Sequence, residues 1–246
     1  MKKDLPLTAL VRSFVTMAFL TSSSLGVMAD NPRKSATNLQ FYTYVSASES
    51  RDAGFYTFNS SNPTVFTPVG NDVKCYGGAT YAQGKFWSSY YEENEDNSKI
   101  TFPIHLYGYN TADWTIGEER QGFAFTDISS DLAFDPETQA IYGIFSDADY
   151  SGMYLTLGRL TYSTKDDYPF VIYSCQPIAQ MPERMVALTF NRDGQLYTIS
   201  KTGKLYTVDK YTGEATLVGN TGFSILPFFQ SATCDYATGD IYRAAY

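Results

Sequence analysis

A pair of large residues, at least one of them aromatic, recurs along this chain at a nearly fixed interval. It appears as Phe41-Tyr42, Phe86-Trp87, Ile141-Tyr142, Leu196-Tyr197 and Ile241-Tyr242, at separations of 45, 55, 55 and 45 residues. A second mark follows within the periods, as Phe55-Tyr56, Leu106-Tyr107, Leu160-Thr161-Tyr162 and Leu205-Tyr206. A repeat of this length means that one supersecondary unit is used again and again, each burying its apolar face against the next.

The unit is clearest from Met185 to Gly219, MVALTFNRDGQLYTISKTGKLYTVDKYTGEATLVG. Apolar residues alternate within MVALTF, QLYTIS, KLYTVD and EATLVG, the period-2 pattern of strands. The joints Asn191-Arg192-Asp193-Gly194, Lys201-Thr202-Gly203 and Tyr211-Thr212-Gly213 are rich in residues that tolerate tight turns. One unit is therefore a four-stranded antiparallel meander, and a series of them is the signature of propeller blades. The 21 tyrosines and 17 phenylalanines suit sheets far better than helices.

Segments such as SSDLAFDPETQAIYGIF, the unit just quoted and SATCDYATGDIYRAAY resemble blades of the YVTN and NHL type of β-propeller, found in exported bacterial repeat proteins. The likeness runs from about Leu39 to Tyr246. It implies architecture and says little of function, because propellers host sugar binders, protein scaffolds and enzymes alike. The expected fold class is all-β, a propeller-like array of four-stranded meanders with about four blades plus a partial fifth.

Taken in order, the first unit begins abruptly at Leu39 to Val45, which matches a second strand, and continues with Gly54 to Asn59 and Val65 to Gly70; its inner strand is missing. The next unit runs through Gly77 to Ala82, Lys85 to Tyr91, Ile104 to Asn110 and Trp114 to Glu118, and the third from Asp131 to Ser174. A fifth starts at Ser231 and stops after its second strand. Its strands overlap the first unit's rather than complement them, which reads as a partial or truncated propeller with open edges able to self-associate. A small closed ring with a redundant last strand is the alternative.

Residues 1–29 carry the pattern of a secretory signal peptide: Lys2 and Lys3, an apolar tract from Leu5 to Leu20 interrupted by Arg12, and small residues at Val27-Met28-Ala29. Residues 30–38 read as a flexible leader and 39–246 as the propeller domain. The address expected is extracytoplasmic: secreted, periplasmic or on the cell surface, with no integral membrane segment after cleavage. Lys2, Lys3, Arg12 and Asp4 together carry +2, so their removal takes the net charge from −8 to −10. Such an acidic protein repels phosphate backbones, which excludes nucleic acid as a natural partner. Cys75, Cys175 and Cys234 are an odd count that leaves at least one thiol unbridged. Cys234 reads as a small buried hydrophobe.

Loops joining second to third strands, and fourth strands to the next blade, share one rim. That rim gathers Tyr90, Tyr91, Glu93, Arg120, Asp147, Asp149, Tyr150 and Arg184, a mixture of aromatics, acids and arginines suited to a glycan, peptide or partner protein. Asp147, Asp149 and Ser151 open like an acidic calcium loop, but Gly158 stands where the bidentate Glu belongs, so a solvated turn is favoured and no cofactor is expected. His105 is the only histidine, and no nucleophile elbow, metal-spaced His/Cys set or phosphate loop is present. The reading is a non-catalytic binding module; a glycan-active hydrolase or lyase using rim carboxylates is the alternative.

Overall fold

The computed structural model describes residues 38–45, 52–70, 74–93, 100–146, 154–222 and 230–244, together with the backbone of 15–19; at 93 and 154 it describes the backbone alone. No α-helix occurs among them. Blade 1 comprises β1 (Val15–Phe19), β2 (Gln40–Val45), β3 (Gly54–Asn59) and β4 (Asn62–Pro68). Blade 2 is β5 (Ala79–Ala82), β6 (Lys85–Glu93), β7 (Ile100–Asn110) and β8 (Ile116–Gly122), and blade 3 is β9 (Ser129–Phe134), β10 (Ile141–Ser146), β11 (Tyr154–Ser163) and β12 (Val171–Gln180). Blade 4 is β13 (Met185–Phe190), β14 (Leu196–Ser200), β15 (Lys204–Val208) and β16 (Ala215–Asn220), and blade 5 contributes β17 (Ser231–Cys234) and β18 (Ile241–Ala244). Within each blade, consecutive strands pair antiparallel.

The tight turns are made by one device used repeatedly. The Asp135 carboxylate accepts from the Glu137 N–H at 3.0 Å and the Thr138 hydroxyl at 2.6 Å. Asp235 does the same with the Ala237 N–H at 2.9 Å and the Thr238 hydroxyl at 3.0 Å. Asn191 caps the Asp193 and Gln195 N–H groups at 3.0 and 2.8 Å. A short polar side chain that bonds to its own backbone two residues on fixes the reversal, and therefore the strand register on either side.

The five inner strands close into a ring: β1 touches β5 and β17, β5 touches β9, β9 touches β13, and β13 touches β17. Where β5 meets β9 the approach is close and a small residue stands at it. A Cβ added to Gly78 would lie 2.5 Å from the Asp131 carbonyl carbon, so β5 can reach β9 only with glycine there. Asp131 then joins three blades. Its fully buried carboxylate accepts from the Leu188 N–H of blade 4 at 2.7 Å and the Ser231 hydroxyl of blade 5 at 3.0 Å, besides its neighbour Leu132 at 3.0 Å. Burial pushes its carboxyl well above the usual carboxylate range, against the opposing pull of these donors.

The missing inner strand of the first unit is corrected here. Val15–Phe19 fills that position, paired with β2 from Val15↔Val45 to Phe19↔Phe41. The reason lies in the pattern: Thr16-Met17-Ala18-Phe19 follows the order of Asp131-Leu132-Ala133-Phe134 and Ala187-Leu188-Thr189-Phe190, a small or polar residue, an aliphatic one, a small one and Phe. Blades 2 and 3 also differ from independent meanders. Their outermost strands β8 and β12 pair in parallel, through Val171↔Arg120 and Ile172↔Gln121, making one eight-stranded sheet.

Between blades the core is largely aromatic. Phe55 of blade 1 meets Phe86 edge-on at 4.7 Å and lies 4.9 Å from Trp114, while Tyr142 and Phe190 join blades 3 and 4 at 5.2 Å. Both members of Phe86-Trp87 and of Ile141-Tyr142 are buried, since a second strand is covered on each face by a neighbouring blade; in blade 4 Tyr206 is buried and Leu205 half-buried. Cys75, Cys175 and Cys234 form no disulfide, and Cys234 is buried as a small hydrophobe. At the turn rim, buried Lys210 reaches from blade 4 to Asp135 at 2.7 Å and Glu137 at 2.6 Å on blade 3. Burial lowers the pKa of this lysine, but the two carboxylates more than offset it and the net shift is upward.

Asp131→Ala should orphan the buried Leu188 and Leu132 amides and lower stability by about 2–6 kcal/mol, at about 1–3 kcal/mol per unsatisfied buried donor. Urea unfolding monitored by tryptophan fluorescence measures this. A loss below about 0.5 kcal/mol, the level of an ordinary surface change, would contradict the role given to Asp131.

Candidate functional site

The face of blade 2 that looks toward blade 1 carries a row of rings running from the core to the loop rim. Alternation along β7 places His105, Tyr107 and Tyr109 on that face. Register then sets their cross-strand neighbours: Tyr90 and Gln121 beside His105, and Ser88 and Glu119 beside Tyr107. Tyr109 is buried against Phe55; Tyr107 lies 6.1 Å from it, and His105 stacks on Tyr107 at 5.1 Å with the rings within 5° of parallel. Tyr90 closes the outer end, 6.3 Å from His105 and 6.2 Å from Tyr107, with the Lys74 ammonium 5.1 Å over its ring.

Polar groups converge on these rings. His105 Nδ1 lies 2.9 Å from Glu119 Oε1, which also accepts from the Gln121 amide at 2.6 Å. Tyr168, from the turn between β11 and β12, donates to Gln121. The Tyr90 hydroxyl donates to Glu92 at 3.3 Å. His105 and Glu119 keep about a fifth of their side-chain surface exposed, 21% and 23%. Burial, then the charges of Glu119, Tyr90 and Glu92, push the Tyr107 phenol up to about 12. Tyr107 is thus held neutral beside these acidic neighbours.

The expected rim residues do not all meet here. Tyr90 does. Tyr91, one residue on at an irregularity in the β6–β7 register, turns into the core, 97% covered, and meets Tyr76 edge-on at 4.9 Å. Arg120 sits in the seam between blades 2 and 3, between the rings of Trp87 at 4.1 Å and Tyr162 at 4.2 Å, and bonds to Glu118 at 2.8 and 2.9 Å. It serves packing more than display. Arg184 lies before β13 on blade 4, where its carbonyl accepts from the Lys201 N–H at 2.8 Å. Its neighbour Glu183 is engaged by Thr202 at 2.6 Å, Tyr206 at 2.7 Å and Lys204 at 3.2 Å. Glu93 ends β6, and its side chain lies outside the described residues, as do Asp147, Asp149, Tyr150 and Ser151, the calcium candidate included.

The sequence marks Tyr107 only as half of the repeated pair Leu106-Tyr107, and it does not distinguish Glu119, Gln121 or Lys74 as site residues. Only the alternation of His105-Leu106-Tyr107-Gly108-Tyr109 hinted at a shared face. Among the described residues no three His, Cys, Asp or Glu side chains converge as a metal site, and no helix is long and apolar enough to cross a membrane.

No protein-family model matches the sequence, and no curated protein does. Among solved structures, a gluconolactonase from Xanthomonas campestris is similar at 15% identity and a TM-score of 0.48, over 84% of this chain and 65% of that one. The virginiamycin B lyase of Staphylococcus aureus is similar at 13% identity and a TM-score of 0.42, over 85% of this chain and 67% of that one. YCF48 bound to a D1 peptide is similar at 11% identity and a TM-score of 0.36, over 88% and 57%. The chain thus spans about two thirds or less of the length of these structures.

Tyr107 gives a pH test. Its folded-state pKa lies above the ordinary tyrosine value of about 10, so its contribution to stability is full below pH 10 and is lost as pH rises toward 12. Burial raises Tyr44 and Tyr109 as well. Unfolding midpoints should fall steeply between pH 10 and 12, with the folded protein showing delayed phenolate absorbance; midpoints unchanged to pH 11.5 would contradict the burial described.

Proposed function

We propose that this protein is an exported, non-catalytic propeller of the YVTN or NHL kind that binds a glycan or peptide where blades 1 and 2 meet at the loop rim. The observation that carries the reading is the row Tyr90, His105 and Tyr107 flanked by Glu92 and Glu119. The partly exposed rings of Tyr90 and His105, backed by buried Tyr107, take the apolar face of a sugar or a side chain, and carboxylates fixed beside them orient hydroxyl or amide donors. The chain's acidic balance adds a preference against anionic ligands. Self-association would use the outer edge of β18, which has no further strand beside it among the described residues.

A glycan-active hydrolase or lyase is the second reading, favoured by one observation: Glu119 orients the His105 imidazole as a carboxylate orients a general base.

Glycan and peptide arrays probed with the purified protein test both. Saturable binding should weaken about tenfold in each of Tyr90→Ala and His105→Ala, the weight of one well-placed ring contact together with its hydrogen bonds. Arg184→Ala, on another blade, should leave binding unchanged. Turnover of an arrayed glycan would instead establish the enzyme, and equal binding by all variants would move the ligand elsewhere.

A further inference from the structure

We propose that the inner-strand position of blade 1 is an exchangeable acceptor for an extended segment of another polypeptide, and that Val15–Phe19 is one occupant of it. Each other inner strand is joined to its second strand by a tight turn: Gln83-Gly84 in blade 2, and the segments 135–140, 191–195 and 235–240 in blades 3, 4 and 5. Between β1 and β2 lie the twenty residues 20–39. A strand on so long a connection is held at its site by an effective concentration rather than by turn geometry, and a competing strand can take its place.

The segment Thr16 to Phe19 shares its residue order with the inner strands of blades 3 and 4, whereas those of blades 2 and 5 read Ala-Thr-Tyr-Ala and Ser-Ala-Thr-Cys. Small or polar, aliphatic, small, Phe is the order at Thr16 to Phe19, at Asp131 to Phe134 and at Ala187 to Phe190. Main-chain pairing to β2 along Phe41 to Val45 supplies the binding energy, and the alternate side chains set the choice. The incoming segment therefore lies antiparallel to β2, is at least five residues long, and carries Leu or Met two positions before Phe. It reaches β5 and β17 as well, so its arrival closes the ring.

The same residues, Val15 to Phe19, fall inside the apolar tract that the export reading removes. An exported chain would leave this position open for its partner. The occasion for exchange rests on that reading, but the acceptor property does not, and N-terminal sequencing of the exported protein tests export by itself.

The full chain is prepared with a specific protease site between residues 30 and 36, cut after folding, and mixed with a fluorescent peptide of residues 13–21. Saturable uptake at one peptide per protein is expected, with competition by unlabelled peptide and by a peptide of residues 129–134. The Met17→Asp peptide should bind at least tenfold more weakly, and uncut protein should take up at least tenfold less. Amide exchange at Phe41 to Val45 should slow on uptake. If cutting unfolds the chain, recovery on adding the peptide supports the proposal and failure to recover overturns it. Absence of uptake by folded cut protein, equal uptake by uncut protein, or equal binding of the Met17→Asp peptide would each overturn it.

Discussion

A fully buried carboxylate governs how this ring is assembled. Asp131 lies on the inner strand of blade 3, and its bonds to the Leu188 amide and the Ser231 hydroxyl reach the inner strands of the next two blades. Inner strands of different blades share no ladder of backbone pairs, so something else must satisfy the polar groups they bring to the axis. Asp131 does so for blades 3 to 5. Between blades 2 and 3 the Thr80 hydroxyl accepts from the Phe134 N–H at 3.1 Å, and the Gly78 N–H reaches the Ser129 carbonyl at 3.2 Å. The small residue Gly78 follows from the same demand, since backbones that bond across blades must come close.

Radial packing then dictates the large residues. Blades that touch at their inner strands diverge outward, and the wedge between them widens with distance from the axis. Phe55, Phe86, Trp114 and Tyr109 fill it between blades 1 and 2. The candidate site is where that filling reaches the rim: Tyr109 and Tyr107 are buried, and His105 and Tyr90 are only partly exposed. Its polar groups are the cross-strand neighbours of those rings, so the binding surface continues the core rather than adding to it.

Much of this was legible in the sequence, and the failures have particular causes. Turns were readable because Asp, Asn and Gly do their work locally; Asp135 and Asp235 bond within three residues. The strand expected from Trp114 begins only at Ile116, and Trp114 itself lies before it at φ 59°. The third strand of blade 2 reads from Ile104 in the sequence, but β7 starts four residues earlier, at Ile100, and runs through Pro103. Tyr91 was grouped with Tyr90 as displayed, although neighbours in a strand face opposite ways. The pairing of His105 with Glu119 depends on the register between β7 and β8, which no local signal reveals. Val15 to Phe19 carried two patterns at once, and the export pattern hid the strand.

The five inner strands close, bringing blade 1 against blade 5. Phe41 of β2 and Tyr242 of β18 meet edge-on there, with ring centroids 5.1 Å apart. Nuclear Overhauser effects between these rings in selectively labelled full-length protein measure that contact, and Phe55 with Phe86, 4.7 Å apart across blades 1 and 2, serves as the control. A Phe41–Tyr242 cross-peak comparable to the control is expected. A strong control with no Phe41–Tyr242 cross-peak would show that the arc is open and would contradict the closed ring.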